Sequence, residues 1–322
     1  MAPPRRLALP IQTIAAEQGL TLDPSHPPLA GALVRPNATN HLLLYPGSFN
    51  PPHRGHQALL QHVLRVAGPD LGLLGAIIVL TDDEKLAAKN RHEERPFLLN
   101  KAKRVALWRE ADLSQDVVWV FDGSEASWGT FRARLQGLLA RDGIHLRFLL
   151  LTGPDLVTSR SVTDPISWGC VESITSDVSR PADFRCVHSL RQLPRCTPWE
   201  PCLPRTVEVS GDDRDPLGYP LASATALWKC RTSRKPLRRY CFVAAAESGR
   251  RQGEAPSSTE IRHVIASLEG SQLEHELERL ALSPSLLLRH ARRGGPYSAP
   301  VVRNKVRDHQ ARKAEVHEQA NW

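Results

Sequence analysis

Two histidines three residues apart, His53 and His56, stand in the string GSFNPPHRGH at positions 47–56, directly after the apolar run LLLYP. A glycine-containing turn that opens a helix offers unpaired backbone N–H groups at the positive end of the helix dipole, a natural place for phosphate. Gly47 lets the backbone approach a ligand closely, and Gly55 lets the start of the helix pack tightly. Imidazoles at i and i+3 project from the same side of the first turn. There they can donate hydrogen bonds to phosphate oxygens and stabilise the charge that builds up as phosphorus is attacked. A zinc pair is the competing chemistry, but zinc needs a third ligand and usually a fourth, and none stands nearby in the sequence. No GxxxxGK string occurs, so a triphosphate is not held by a P-loop.

A second string, PSSTEIR at 256–262, points the same way. Ser257 and Glu260 form an S-x-x-E capping box, which alone requires no function. Ser258, Thr259 and Arg262 fall in the first turn of the helix it opens. Hydroxyls, N–H groups and one guanidinium there make a second phosphate cradle.

Elements must hold these turns in place. Apolar runs at 41–46, 73–80, 116–122 and 145–151 read as buried strands, and 240–247 as a last one. Segments 56–67, 96–110, 127–140, 257–268 and 271–282 carry apolar residues at helical spacing, with Pro96 in the first turn of its helix. Continuous apolar strands between amphipathic helices predict an α/β fold: a doubly wound, Rossmann-like parallel sheet with helices on both faces. Such folds bind ligands beyond the carboxyl ends of their strands, which is where GSFNPPHRGH falls. Residues 1–36 read as an N-terminal extension in which Pro3, Pro4, Pro10, Pro24, Pro27 and Pro28 limit regular structure. The domain proper is expected at 37–288, interrupted by a Pro- and Arg-rich insertion at about 184–239. The basic segment 289–322 is expected to be a frayed tail.

Composition narrows the class. The 322 residues are 41% hydrophobic and 24% charged, enough for a real core. Lys and Arg number 42 against 34 Asp and Glu, a net charge of +8 that favours anionic partners and equally favours solubility. The six cysteines include no C-x-x-C pair, which argues against a disulfide scaffold or zinc ribbon and for a reducing compartment. No apolar stretch is long enough to span a bilayer, so a membrane is not expected as a partner. A mitochondrial presequence is the minority reading of the N-terminus, because Pro10, Gln12 and Thr13 break its apolar run. The basic cluster at 229–239 is accompanied by no nucleic-acid-binding motif, so nucleic acid is a disfavoured partner.

GSFNPPHRGH resembles the H-x-G-H motif of the nucleotidylyltransferase superfamily, and the full string is most similar to that of nicotinamide or nicotinate mononucleotide adenylyltransferases. PSSTEIR resembles that family's I-S-S-T-x-I-R, with Pro256 in place of the usual Ile. Pantetheine-phosphate adenylyltransferases and cytidylyltransferases share the histidine motif but usually lack this pairing of strings. The resemblance covers roughly 40–180 and 240–270, and this two-part match around a long insertion resembles divergent fungal members of the family.

It implies transfer of AMP from ATP to nicotinamide or nicotinate mononucleotide, with ATP and the mononucleotide as partners and Mg²⁺ carried by ATP as cofactor. His53, His56 and Arg262 would be catalytic. ATP would meet Gly47, Ser48, Phe49, His53, His56, Gly153, Asp155, Ser258, Thr259 and Arg262. Of these, Gly153 and Asp155 match the family's strand-end G-x-D, although a lone Asp there also reads as a helix N-cap. The mononucleotide would meet Ser48, Phe49, Lys89 or Lys85, Trp168 and Arg180. Trp168 reads equally as a ring stacked on the cationic pyridine and as a core tryptophan. The implied compartment is cytoplasm or nucleus, and association into a homo-oligomer is compatible with the sequence. The alternative is a divergent ATP-binding or ATP-hydrolysing regulatory protein on the same fold.

Overall fold

The computed structural model describes residues 4–22, 27–114, 116–186, 189–202, 227–245 and 256–300. Its centre is an eight-stranded sheet built on β3 (Thr39–Gly47), β4 (Leu73–Leu80), β5 (Val118–Phe121), β6 (His145–Leu151), β7 (Glu172–Ser176) and β10 (Arg239–Val243), all parallel to one another. The two-residue β8 (Glu200–Pro201) and β9 (Leu227–Arg231) extend it antiparallel beyond β10. The spatial order is β5-β4-β3-β6-β7-β10-β9-β8. Counting the parallel strands alone, this is the 3-2-1-4-5-6 order of a doubly wound sheet, whose strand order reverses between β3 and β6.

Alternation along each strand feeds two cores. Leu42 and Leu44 of β3, with Ile77 and Val79 of β4, face α5 (Glu125–Arg141) and its buried Trp128 and Phe131. Leu43, Tyr45, Ala76, Ile78 and Leu80 face α2 (Arg54–Leu71) and α4 (Lys101–Arg109). Strands buried on both faces read as unbroken apolar runs for this reason. α2 ends where Gly72 takes the left-handed conformation, at φ 61°, that glycine adopts without steric cost. A third core joins α6 (Ser258–Ser267), α7 (Gly270–Leu280) and α8 (Pro284–Arg292) to Phe97 and Leu99.

Several expectations are corrected. The N-terminal segment is part of the core: after the short β1 (Arg5–Arg6), α1 (Ala8–Glu17) buries Ile11, Ile14 and Ala15 in the α5-side core. Pro10 is tolerated because it sits in the first helical turn, and β2 (Leu33–Val34) pairs back onto β1. The helix expected from residue 96 starts only at Lys101. The chain at 97–99 is drawn off instead by Asn50, whose side chain donates to Phe97 O at 2.8 Å and accepts from Leu99 N–H at 2.9 Å. The described part of the insertion packs around a small core of Phe184, Leu193, Cys196 and Cys230 with Phe242 of β10. The tail is anchored as far as Ser298, whose N–H donates to Arg95 O, with Tyr297 edge-on to Phe97. Expectations for 203–226 and 301–322 lie outside the described residues. Among the described residues no helix is long and apolar enough to cross a membrane.

Candidate active site

Gly47 is the last residue of β3, and the chain must turn from it into α2. Phe49 makes that turn at φ 44°, a left-handed conformation that costs a non-glycine residue on the order of 1–3 kcal/mol. Its ring is locked in compensation, edge-on to Tyr45, His56 and Trp108 at centroid distances of 5.1, 4.9 and 5.2 Å. The ring also lies directly over Gly47, where an added Cβ would fall 2.6 Å from Phe49 Cζ. Only glycine fits there.

His53 occupies the N-cap of α2 and is 4% exposed. His56, one turn on, stacks against it with ring centroids 3.5 Å apart and accepts at Nδ1 from the His53 backbone N–H at 3.2 Å. His53 Nδ1 is buried and has no hydrogen-bond partner among the described residues. Burial, then the nearby Arg180 charge, pushes the His53 pKa down to about 3. Burial, His53 and Arg180 hold His56 well below the usual histidine range. Two stacked imidazoles can be this close because both are neutral, and each then keeps one N–H to donate.

The second motif arrives from far along the chain. Ser257 caps α6 by accepting from Glu260 N–H at 3.0 Å, and the Glu260 carboxylate accepts in turn from Ser257 N–H at 3.3 Å, completing the capping box. Ser258 Oγ donates to Pro51 O at 2.8 Å, and Arg262 Nη1 donates to Asn50 O at 3.1 Å. The helix starts of α2 and α6 therefore converge. Between them lies Pro256 O, which accepts from Arg180 Nη2 at 3.4 Å and sits 3.5 Å from where a Gly55 Cβ would be. Thr259 shares the first turn of α6. Arg262 is half-buried beside Glu93, 3.7 Å away, with Nε unpartnered among the described residues.

The structure brings Gly47, Ser48, Phe49, His53, His56, Arg180, Ser258, Thr259 and Arg262 to one place. Of the two lysines left open, Lys89, at the end of α3 (Asp83–Lys89), reaches Ser48 Oγ at 3.5 Å, whereas Lys85 pairs with Glu125. Gly153 and Asp155 follow the carboxyl end of β6, across the switch point from Gly47. Gly153 itself is the cap of the 3-10 turn there, and Asp155 folds its carboxylate over it, so Asp155 is not the N-cap. Trp168 ends a 3-10 turn and packs, half-buried, against the α5-side core; its ring makes no ring contact with His53 or His56 among the described residues.

One supporting residue escaped the sequence reading. Arg104, on α4, is fully buried. It donates to Leu99 O at 3.0 Å, Ser48 O at 2.7 Å and Thr81 O at 2.8 Å, and pairs with Asp83 at 2.6 Å. It ties the turn after β3 to the turn after β4. In the sequence it is the last charge of the basic run KAKR directly before VALW, which looks like a solvated helix face until burial is known.

The cytidylyltransferase-like family model matches residues 44–158, a span that includes His53, His56, Gly153 and Asp155. This match supports the nucleotidylyltransferase superfamily for that part of the chain, and with it nucleotidyl transfer as the general chemistry. No curated protein matches the chain.

Proposed function

We propose that the protein transfers AMP from ATP to nicotinamide or nicotinate mononucleotide. The observation that carries this reading is the meeting of two helix N-termini, one bearing His53 and His56 and the other Ser258 and Arg262, beside the switch point of the sheet. A mononucleotide 5′-phosphate oxygen attacks the α-phosphorus of ATP. A new P–O bond forms, the α–β bridging P–O bond breaks, and pyrophosphate leaves with the electron pair. The attacking phosphate is already ionised, so no general base is required. Catalysis is then positioning and charge stabilisation. His53 and His56 donate N–H groups to the polyphosphate, Arg262 and the helix dipoles neutralise it, and Lys89 and Arg180 approach from the mononucleotide side. The carboxylates near the α6 start, Glu260 and Glu93, are engaged by Ser257 N–H and by Arg262, so in this reading Mg²⁺ would be carried on the ATP phosphates rather than held by the chain. Cytoplasm or nucleus is the compartment this reading implies.

The competing reading, ATP binding or hydrolysis without transfer, is favoured by the packing of Trp168 against the core. Chromatography of products from pure protein, ATP, Mg²⁺ and each mononucleotide separates the two. Dinucleotide and pyrophosphate are expected, with a loss of about 100-fold or more in His56→Ala. ADP and phosphate alone would establish the competing reading, and no turnover of ATP would sink both.

A further inference from the structure

At the opposite, amino-terminal end of the sheet lies a cleft of about 920 Å³, within the size range of small-molecule sites. It opens between the C-terminal turn of α2 and the first residues of the strands. Five cationic side chains line it, Arg35, Arg65, Arg147, Lys229 and Arg239, against two carboxylates, Asp70 and Glu172. They come from separate elements: the segment before β3, α2, β6, β9 and β10. Positions 43, 149, 174 and 241 on the same face of the sheet carry core residues. Two residues nearer the strand starts, that face carries His41, Arg147, Glu172 and Arg239 instead. Glu172 is flanked by Arg239 at 3.3 Å and Arg147 at 3.8 Å, so one carboxylate is shared by two guanidiniums. Arg35, Arg65 and Lys229 then face the cleft with Asp70 on its lining, and Glu200 across the β8–β9 pair from Lys229, to offset them. Leu64, Leu73 and Leu74 give it an apolar wall.

We propose that this cleft is a second ligand site, separate from the helix-start site, which takes a phosphorylated metabolite of nucleotide size. Excess positive charge selects the phosphates, and the leucine wall accommodates the organic part. Basic residues gathered from five places in the chain are costly to hold together, because like charges repel, and an anionic ligand relieves that repulsion. The reading does not depend on which nucleotidyl transfer the other site performs.

The test is calorimetric titration of the full chain with ATP, AMP and adenosine at fixed salt. Wild type is expected to show two ATP sites, and His53→Ala/Arg262→Ala to keep one. Adding Arg65→Ala/Lys229→Ala to that variant should weaken the remaining site about tenfold or more. Affinity at the remaining site should rise from adenosine to AMP to ATP. The Arg65→Ala/Lys229→Ala pair alone should leave the first site intact, which also shows that the chain still folds. The proposal is overturned if the His53→Ala/Arg262→Ala variant binds no ATP. It is equally overturned if its residual binding ignores Arg65→Ala/Lys229→Ala, or if adenosine binds as well as ATP.

Discussion

Arg104→Met tests whether the candidate active site is held up by a buried guanidinium. Methionine keeps the length and apolar stem but removes every donor. Three backbone carbonyls, of Ser48, Thr81 and Leu99, lose their bonds, and a buried acceptor left unsatisfied costs about 1–3 kcal/mol. Removing the buried charge itself returns part of that, so a net loss of about 3–5 kcal/mol is expected, as for other broken buried ionic networks. That is a large share of the roughly 5–15 kcal/mol that holds a domain folded. The Asp83 contact contributes little, because its carboxylate is 51% exposed; Asp83→Asn should cost below about 1 kcal/mol. Denaturant unfolding of the two variants beside wild type gives both numbers. ATP affinity should fall in Arg104→Met, since Ser48 is no longer tied to the turn after β4, and stay close to wild type in Asp83→Asn. Equal losses in the two variants, or a cost below about 1 kcal/mol for Arg104→Met, would refute the argument that the guanidinium works through the carbonyls.

Three further expectations follow from the same geometry. Unfolded His53 titrates near 6.5 and folded His53 at about 3, so the unfolded chain takes up the proton first as pH falls. His53 should therefore cost about 2 kcal/mol of stability between pH 7 and pH 5, and His53→Asn should flatten that part of the stability profile; an unchanged slope would mean the ring is not buried neutral. Gly47→Ala places a methyl 2.6 Å from Phe49 Cζ, so a loss of about 1–3 kcal/mol together with loss of ATP binding is expected, and wild-type binding would show that the turn is not rigid. Ser257→Ala removes the cap of α6 and should cost about 1 kcal/mol by thermal unfolding, whereas Arg262→Gln should reduce ATP binding more than Ser257→Ala does.

Much of the parallel sheet was legible because strands buried on both faces are written as unbroken apolar runs, and β3, β4 and β6 were found that way. Both helix starts were legible because caps and glycine turns are local chemistry. What stayed hidden was tertiary. Strand β7 carries Ser173 and Thr175 beside a single buried Ile174, which does not read as a core strand. Strand β9 mixes Lys229 and Arg231 with Leu227, because an antiparallel strand near the sheet edge needs little apolar sequence. Helix α1 was masked by the prolines around it. The convergence of Arg262 on Asn50, and of Arg180 on Pro256, depends on the register of distant strands that no spacing in the sequence encodes.

The hairpin of β9 and β8 has a consequence for the behaviour of the chain in a crowded solution. A parallel sheet ending at β10 would offer a buried-type strand, Tyr240 to Val243, to any extended polypeptide nearby. β9 takes up that edge, and among the described residues the sheet ends at a strand of two residues closed by Pro201, which has no N–H to donate. Short, proline-bearing terminal strands discourage edge-to-edge polymerisation. The paired strands β8 and β9 thus cover the β10 edge that the parallel sheet would otherwise expose.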